Sequence, residues 1–383
     1  MKILMVSMYS IHFFRWAEQL RDSDHEIYWI DVFDSNTYVK TIEFIEQTVG
    51  WRNRWDYPGR YLLKSKAPVL NKFLNRINQR DLKSILEEKI KEIKPDIVHS
   101  FVLQSAAFSI LPIMRKFPEI KWVYSAWGND LFYRQNFDND LKDIKETLPK
   151  FDYMFADCSR YYLLAKDLGF SGKYLGTYPT GGGYNLVEYD SFISSFEKKR
   201  RIIIKGYQGK LGRCNRVLEG LIRIKSELNE YTITVFGANK EVYEFAKKIG
   251  LLKWDNFEIK YNLTQTEVLK LMGNARISVG NSISDGLPNT LLESIIMNSF
   301  PIQSDPGGAT SELIAHEKNG FLINNPEDCY EIGELISRAI NDPVFMKKAI
   351  KHNTERIKPY LERNYIKNDV VKKYRLIEKQ LIS

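Results

Sequence analysis

Cysteine is scarce in this 383-residue chain: Cys158, Cys214 and Cys329 lie far apart, and no CxxC pair occurs. That spacing excludes a disulfide framework and a zinc site and suits a reducing cytosol. Long apolar runs are missing too. No stretch approaches the roughly 20 apolar residues of a membrane span. The opening MKILMVSMYS carries one lysine and a very short apolar run, so it reads as a first β-strand rather than a signal peptide. Familiar nucleotide fingerprints are also absent. The loop after that strand, SMYSIH, has no glycine, which excludes a dinucleotide-binding GxGxxG there. No Ser-His-Asp or Cys-His arrangement for covalent catalysis is evident.

What the chain does have is an ordinary apolar fraction, 44%, enough for real cores. Its length suits two domains. The net charge is +8, and it is unevenly placed. Residues 52–94 hold 12 Lys or Arg against 5 Asp or Glu, and residues 347–383 hold 11 against 4. The remainder is slightly acidic. Each basic stretch reads either as a solvated helical surface or as a site of attraction to an anionic surface, lipid headgroups or nucleic acid. WRNRWDYPGRYLLKSK (51–66) interleaves Trp51, Trp55, Tyr57 and Tyr61 with cations, a mixture suited to a lipid interface or to base stacking.

Strand and helix patterns alternate along the first half. KILMVS, HEIYWIDV, DIVHSFV, KWVYSAW and FDYMFADC read as strands, with HFFRWAEQL, SILEEKIKEI and SRYYLLAKDLG as helices between them. Such alternation implies a parallel sheet with crossover helices. The glycine-rich YPTGGGYN (178–185) interrupts it, and the interdomain linker is expected between about Gly181 and Arg200. The alternation then restarts with RIIIKGYQ and runs through RISVGNS, TLLESIIMN and FPIQSD. The expectation is an α/β protein of two Rossmann-like domains, 1–185 and 200–345, followed by a basic helical segment, 346–383.

In open parallel sheets ligands bind beyond the carboxyl ends of strands. In KGYQGKLGR, Lys205, Gly206 and Arg213 bracket a glycine-bearing turn before a helix, an arrangement that can hold a diphosphate. In SDGLPNTLLE (284–293), Asp285 and Glu293 flank a loop that opens a helix. Carboxylates accept charge-assisted hydrogen bonds from sugar hydroxyls. The amides of Leu287 to Leu291 are candidates to hold phosphates between them. The loop therefore reads as a nucleotide-sugar reader, or else as a capped helix with Glu293 in a structural bond. His12 follows the first strand, where it could meet phosphate or acceptor, or simply start a helix. His99 ends a buried strand and reads as structural.

These residues resemble the family 4 glycosyltransferases, whose architecture is GT-B, two Rossmann-like domains facing across a cleft. The family's hallmark is a Glu, seven residues and a Glu, with Gly-x-Pro after the first acid; here it stands as Asp285, GLPNTLL and Glu293. SIIMNSFPIQSDPGGATSELIAHEKNGFLI, RIIIKGYQGKLGR, SAWGND and YPTGGGYN are similar to further family segments in the same order. The resemblance implies C-terminal helices that cross back to the first domain. It implies a nucleotide-sugar donor in the second domain, a glycan or lipid-linked acceptor in the first, and transfer to a hydroxyl with retention. It also implies no metal and no other cofactor, and no DxD motif is placed for a divalent cation.

Carried over, Glu293 binds the ribose, and Asp285 touches the donor sugar. Gly286, Leu287, Pro288, Asn289, Thr290 and Leu291 shape the donor loop. Asp130 and His12 complete the catalytic candidates. Lys205 and Arg213, chosen on their chemistry, neutralise the departing diphosphate. Three departures stand out: Asp285 replaces the usual Glu, Trp127-Gly128-Asn129-Asp130 replaces His-Gly-x-Asp, and the cationic pair is offset. The family points to bacterial cell-surface polysaccharide or glycolipid synthesis in the cytoplasm, at times against the inner membrane face, with no nucleic acid partner. The alternatives are an epimerase or phosphorylase on a similar fold, and a basic nucleic-acid-binding protein.

Overall fold

The computed structural model describes residues 1–56 and 65–382. Tyr57 and Tyr61 lie outside the described residues. The chain forms two compact units. The first comprises Met1–Asp157, Tyr161–Gly182 and Lys367–Ser383, and the second Cys158–Arg160 and Gly183–Ile366. The passage from one to the other falls inside the glycine-rich stretch.

The first unit is built on seven strands: β1 (Lys2–Ser7), β2 (Glu26–Asp31), β3 (Glu46–Thr48), β4 (Ile97–Phe101), β5 (Lys121–Ala126), β6 (Tyr153–Ala156) and β7 (Lys173–Thr177). All are parallel, in the order β3-β2-β1-β4-β5-β6-β7. The direction of winding reverses beside β1 and β4, the position where such sheets place their ligands. Ile3, Leu4, Met5 and Val6 are all fully buried, as expected of a strand covered on both faces.

The last helix, Arg363–Ile382, enters the first unit's core from Lys367 onward. Tyr374 is its buried anchor. Trp16 Nε1–H donates to the Tyr374 hydroxyl (3.2 Å), which lies 2.7 Å from His99 Nδ1; His99 Nε2 lies 2.9 Å from Ser125 Oγ. Burial holds His99 well below its ordinary 6.5. The residue is therefore a neutral link in the core, which agrees with the structural expectation for it. Residues 346–366 of the basic C-terminal segment belong to the second unit.

The second unit carries β8 (Arg201–Lys205), β9 (Thr232–Phe236), β10 (Phe257–Lys260), β11 (Ile277–Gly280), β12 (Phe300–Ser304) and β13 (Phe321–Ile323). They too are parallel, in the order β10-β9-β8-β11-β12-β13, with the reversal between β8 and β11. Ile202, Ile203 and Ile204 make β8 fully buried. The carboxyl ends of β8 and β11 therefore lie side by side at the switch point, and their loops are the natural ligand site.

One expectation needs correction. Trp51 does not belong to an exposed aromatic face. It is buried, with Nε1–H donating to the Asp31 carbonyl (2.9 Å). An indole with its polar edge satisfied indoors has nothing to offer a lipid or a base. Trp55 is exposed.

Candidate active site

The loop after β8 is shaped by close backbone approach. Gly206 donates its N–H to Phe236 O (2.7 Å). A Cβ there would sit 2.7 Å from Ala238 Cα, and one at Gly212 would sit 2.2 Å from Tyr207 O. Neither position admits a side chain without moving the backbone. The loop is stitched to the one after β11: Arg213 N–H donates to Asn281 O (3.0 Å), and Ile283 N–H to Leu211 O (2.9 Å). The fold thus joins KGYQGKLGR and SDGLPNTLLE into one surface.

On that surface Lys205 and Asp285 meet. Lys205 Nζ lies 3.8 Å from Asp285 Oδ2 and 5.5 Å from the centre of the Tyr207 ring. Asp285 Oδ1 accepts the Gly286 N–H (2.9 Å). Burial, and then the Asp285 carboxylate, push the Tyr207 phenol above its ordinary range. Both members of the pair remain partly open to solvent, so the cation can meet a ligand anion and the carboxylate a ligand hydroxyl.

The helix Asn289–Ile296 starts at Pro288 with no side-chain cap. Its first-turn amides face outward with the positive end of the helix dipole. The set of five amides expected from the sequence is narrower in fact. Pro288 has no N–H, and that of Leu291 is bonded to Pro288 O (3.0 Å). The candidates are Leu287, Asn289 and Thr290. Thr290 Oγ1 is buried with no hydrogen-bond partner among the described residues. Glu293, one turn in, is 7% exposed, and its Oε1 accepts from Gln265 Nε2 (2.7 Å). At the helix's other end Lys199 Nζ donates to Met297 O (3.0 Å) and Asn298 O (2.6 Å). Burial pulls that amine down to about 7.

Arg213 is placed differently from Lys205. Its guanidinium pairs with Glu327 and donates to Gly209 O (3.0 Å) and Gly212 O (2.8 Å). The Arg213 bond holds Glu327 below the usual carboxylate range. Arg213 braces the loop that presents Lys205. Sequence reasoning did not single out Gln265, Glu327 or Arg160. Arg160, counted with the second unit, donates to Asp285 O (2.7 Å) and to Pro306 O. Their partners lie 28, 114 and 125 residues away for Gln265, Glu327 and Arg160 respectively, so no local spacing marks them.

In the first unit, Asp130 follows β5 and is 2% exposed. Oδ1 accepts the Leu103 N–H (2.7 Å), and Oδ2 accepts from the Tyr124 hydroxyl. Burial pushes its carboxyl up to about 7 against those bonds. Leu103 opens a π-turn, Leu103–Ala107, just after Val102, which is held at φ 68. A β-branched residue there is strained. The turn borders a cavity of about 830 Å³ at the carboxyl ends of β2 and β4, lined by Phe33, Arg52, Gln104, Ser105 and Arg115 among others. Asp130 thus positions the wall of a cavity. His12 is exposed on the first turn of the helix Ile11–Glu18.

A sequence model of the group 1 glycosyl transferases matches residues 188–356, and one of glycosyl transferase 4-like proteins matches residues 2–158. The two together account for most of the chain; the second takes in β1 to β6 of the first sheet, and the first takes in all six strands of the second sheet. The chain belongs to the GT4-type glycosyltransferases.

Solved relatives show that this glycosyltransferase-family chain has the GT-B fold. Sucrose-phosphate synthase of Thermosynechococcus elongatus superposes with a TM-score of 0.73 at 14% identity, covering 99% of each chain. A glycosyltransferase of Rickettsia africae gives 0.70 at 16%, covering 100% of this chain and 98% of that one. Anabaena Alr3699/HepE, solved in complex with UDP-glucose, gives 0.71 at 12%, with 98% and 99% covered. A curated relative is the GalNAc-alpha-(1->4)-GalNAc-alpha-(1->3)-diNAcBac-PP-undecaprenol alpha-1,4-N-acetyl-D-galactosaminyltransferase of Campylobacter jejuni, 24% identical over 183 residues. That match takes in 48% of this chain and half the length of the relative.

Proposed function

We propose that the protein transfers a glycosyl group from a nucleoside-diphosphate sugar to an acceptor hydroxyl, with retention and without a metal, in the making of a bacterial cell-surface polysaccharide or glycolipid. The observation that carries this reading is the Lys205–Asp285 pair beside the open N-terminus of the helix that bears Glu293. Each group has a chemical partner in such a donor. The helix amides and Lys205 face the diphosphate. Glu293 accepts from ribose hydroxyls once Gln265 yields, and Asp285 accepts from a hydroxyl of the sugar. The acceptor oxygen bonds to the anomeric carbon on the face the diphosphate leaves. The diphosphate departs with the bonding electron pair, and one of its oxygens takes the hydroxyl proton. Lys205 stabilises the charge that develops there.

No protein nucleophile is needed in this scheme. Cys214, the cysteine nearest the loop in sequence, is a poor candidate for one, since burial pushes its thiol up to about 12. The cavity bordered by Gln104, Ser105 and Arg115 is the proposed acceptor site. HepE holds UDP-glucose, and the curated relative's name carries an undecaprenol diphosphate. Uridine donors and lipid-linked acceptors are therefore the first to try. Among the described residues no helix is long and apolar enough to cross a membrane. We place the reaction in the cytoplasm, peripherally on the inner membrane face when the acceptor is lipid-linked.

The test is thermal stabilisation by a panel of nucleoside diphosphates and their sugars, with and without EDTA. A ligand at 100 times its dissociation constant adds about 2.7 kcal/mol. One nucleotide should stand out, unaffected by EDTA, and its effect should vanish in Glu293→Ala. No response to any nucleotide, or an undiminished response in Glu293→Ala, overturns the donor-site reading. Product analysis separates transfer from epimerisation or phosphorolysis.

A further inference from the structure

The helix Pro68–Asn78 in the first unit is turned inside out. A surface helix ordinarily buries its apolar stripe and shows polar residues to water. Here Asn78 is the buried residue. Its side chain accepts the Trp55 N–H (3.0 Å) and donates to Trp55 O (2.8 Å). Asn75 and Asn71, one and two turns earlier on that side, are only partly exposed. A cavity of about 540 Å³ is bordered by Asn71, Asn75 and Gln79 among others. The opposite face is apolar and open: Val69 is 83% exposed, Leu70 52%, Phe73 61% and Ile77 49%. These positions fall on one side of a helix. Exposed Lys66, Lys72 and Arg76 border them, and exposed Arg54 and Trp55 adjoin the helix end held by Asn78.

A contiguous exposed apolar face has an occupant, and charge selects which one. A second copy of this chain would bring one ring of cations against another. The surrounding residues 52–94 carry 12 cations against 5 anions, so the complement is anionic. An apolar stripe with Phe and Leu, rimmed by Lys and Arg and with a Trp at its end, matches a helix lying in a lipid headgroup layer. We propose that this helix docks the protein on an anionic lipid surface, with Val69, Leu70, Phe73 and Ile77 inserted among the acyl chains and Lys66, Lys72 and Arg76 against the headgroups. This deepens the membrane part of the proposed function. It also extends the interface expected over residues 51–66 to the helix that follows, with the buried Trp51 left out.

The test needs neither donor nor acceptor, so its outcome is independent of the transfer reading. The full chain is sedimented with vesicles of phosphatidylcholine alone, or of phosphatidylcholine with phosphatidylglycerol, at low and at 0.5 M salt. The expected result is binding to the anionic vesicles only. Salt should weaken it, and Leu70→Asp with Phe73→Asp should weaken it at least tenfold. Both side chains are exposed, so the melting temperature of the variant should match the parent, and the lone change Lys72→Glu supplies a milder second variant. Equal binding to both kinds of vesicle, or unchanged binding by both variants, overturns the proposal. So does a parent that is dimeric by light scattering and becomes monomeric in the double variant, since a second copy would then cover the face.

Discussion

Replacing Asp130 by Asn should change how stability depends on pH. The Asp130 carboxyl is enclosed in the first unit, and burial carries its titration from the ordinary 3.8 to about 7. The folded state therefore favours the protonated form. The sign follows from linkage: stability from this group is fully present below about pH 4 and is lost as pH rises through about 7. At 1.36 kcal/mol per pH unit the span corresponds to about 4 kcal/mol. The loss ought to be felt first by the turn at Leu103, whose N–H the carboxyl accepts.

Asn cannot titrate, and it offers one acceptor oxygen where the Leu103 amide and the Tyr124 hydroxyl both donate. Asp130→Asn should therefore cost about 1–3 kcal/mol at pH 4, and the gap should close and then reverse as pH rises to 8, because the parent's loss of about 4 kcal/mol exceeds it. Urea unfolding followed by tryptophan fluorescence is the assay. Trp16, Trp29, Trp51, Trp55, Trp122 and Trp127 lie in the first unit and only Trp254 in the second, so the signal reports mainly on the unit that holds Asp130. Carboxylates elsewhere titrate alike in both proteins and cancel in the difference. Two profiles that stay parallel from pH 4 to 8 would show that the carboxyl is not held protonated, and the reasoning would fail.

Other substitutions separate the roles of the site's cations. Lys205→Ala should leave the melting temperature nearly unchanged, because an open pair at 3.8 Å is worth about 0–1 kcal/mol. Its kcat/KM should fall about 10²–10³-fold; an unimpaired rate would remove Lys205 from the leaving-group site. Arg213→Ala should instead lower stability by about 1–3 kcal/mol by calorimetry, since its bonds to Glu327, Gly209 and Gly212 hold the loop together. A fully active Arg213→Ala enzyme with a lowered melting temperature would confirm the brace, and an unmoved melting temperature would refute it. Tyr374→Phe leaves Trp16 Nε1–H and His99 Nδ1 without their common partner. It should cost about 1–3 kcal/mol in urea, and a loss under about 0.5 would contradict the anchoring role.

The central strands were legible because burial on both faces forces a continuous apolar run: RIIIK and KILMVS declare themselves. The strands that escaped, β3, β7 and β13, are the sheet edges or next to nothing but one neighbour, and two of them have three residues. β3 and β7 are only partly buried, and β13, though buried, has three residues, too few for a periodicity to show. The helix Pro68–Asn78 escaped for another reason. Val69, Leu70, Phe73 and Ile77 have helical spacing, and Pro68 is well suited to a first helical position, so the element itself could have been found. Its outward-facing apolar side could not, because spacing shows that a stripe exists but not which way it points.

The site divides along the same line. Asp285 and Glu293 were visible as a spaced pair at a loop and helix start, and Lys205 as the end of a buried strand. What spacing could not distinguish was Lys205 from Arg213, two cations eight residues apart in one loop. The difference is made by Glu327, which lies 114 residues from Arg213 in sequence. A cation already bonded to a carboxylate and two carbonyls must give up those bonds to meet a diphosphate. A cation facing one carboxylate at 3.8 Å gives up little. In the proposed donor complex the burden of charge stabilisation therefore falls on Lys205, and Asp285, its present partner, turns to the sugar when the diphosphate arrives. Asp285→Asn tests that exchange. Freed from its anion, Lys205 should bind a bare nucleoside diphosphate as tightly as in the parent or more so, while transfer slows for want of a charged acceptor at the sugar. Weaker diphosphate binding in Asp285→Asn would mean that the carboxylate serves to hold Lys205 in place, and that the sugar is read by other groups.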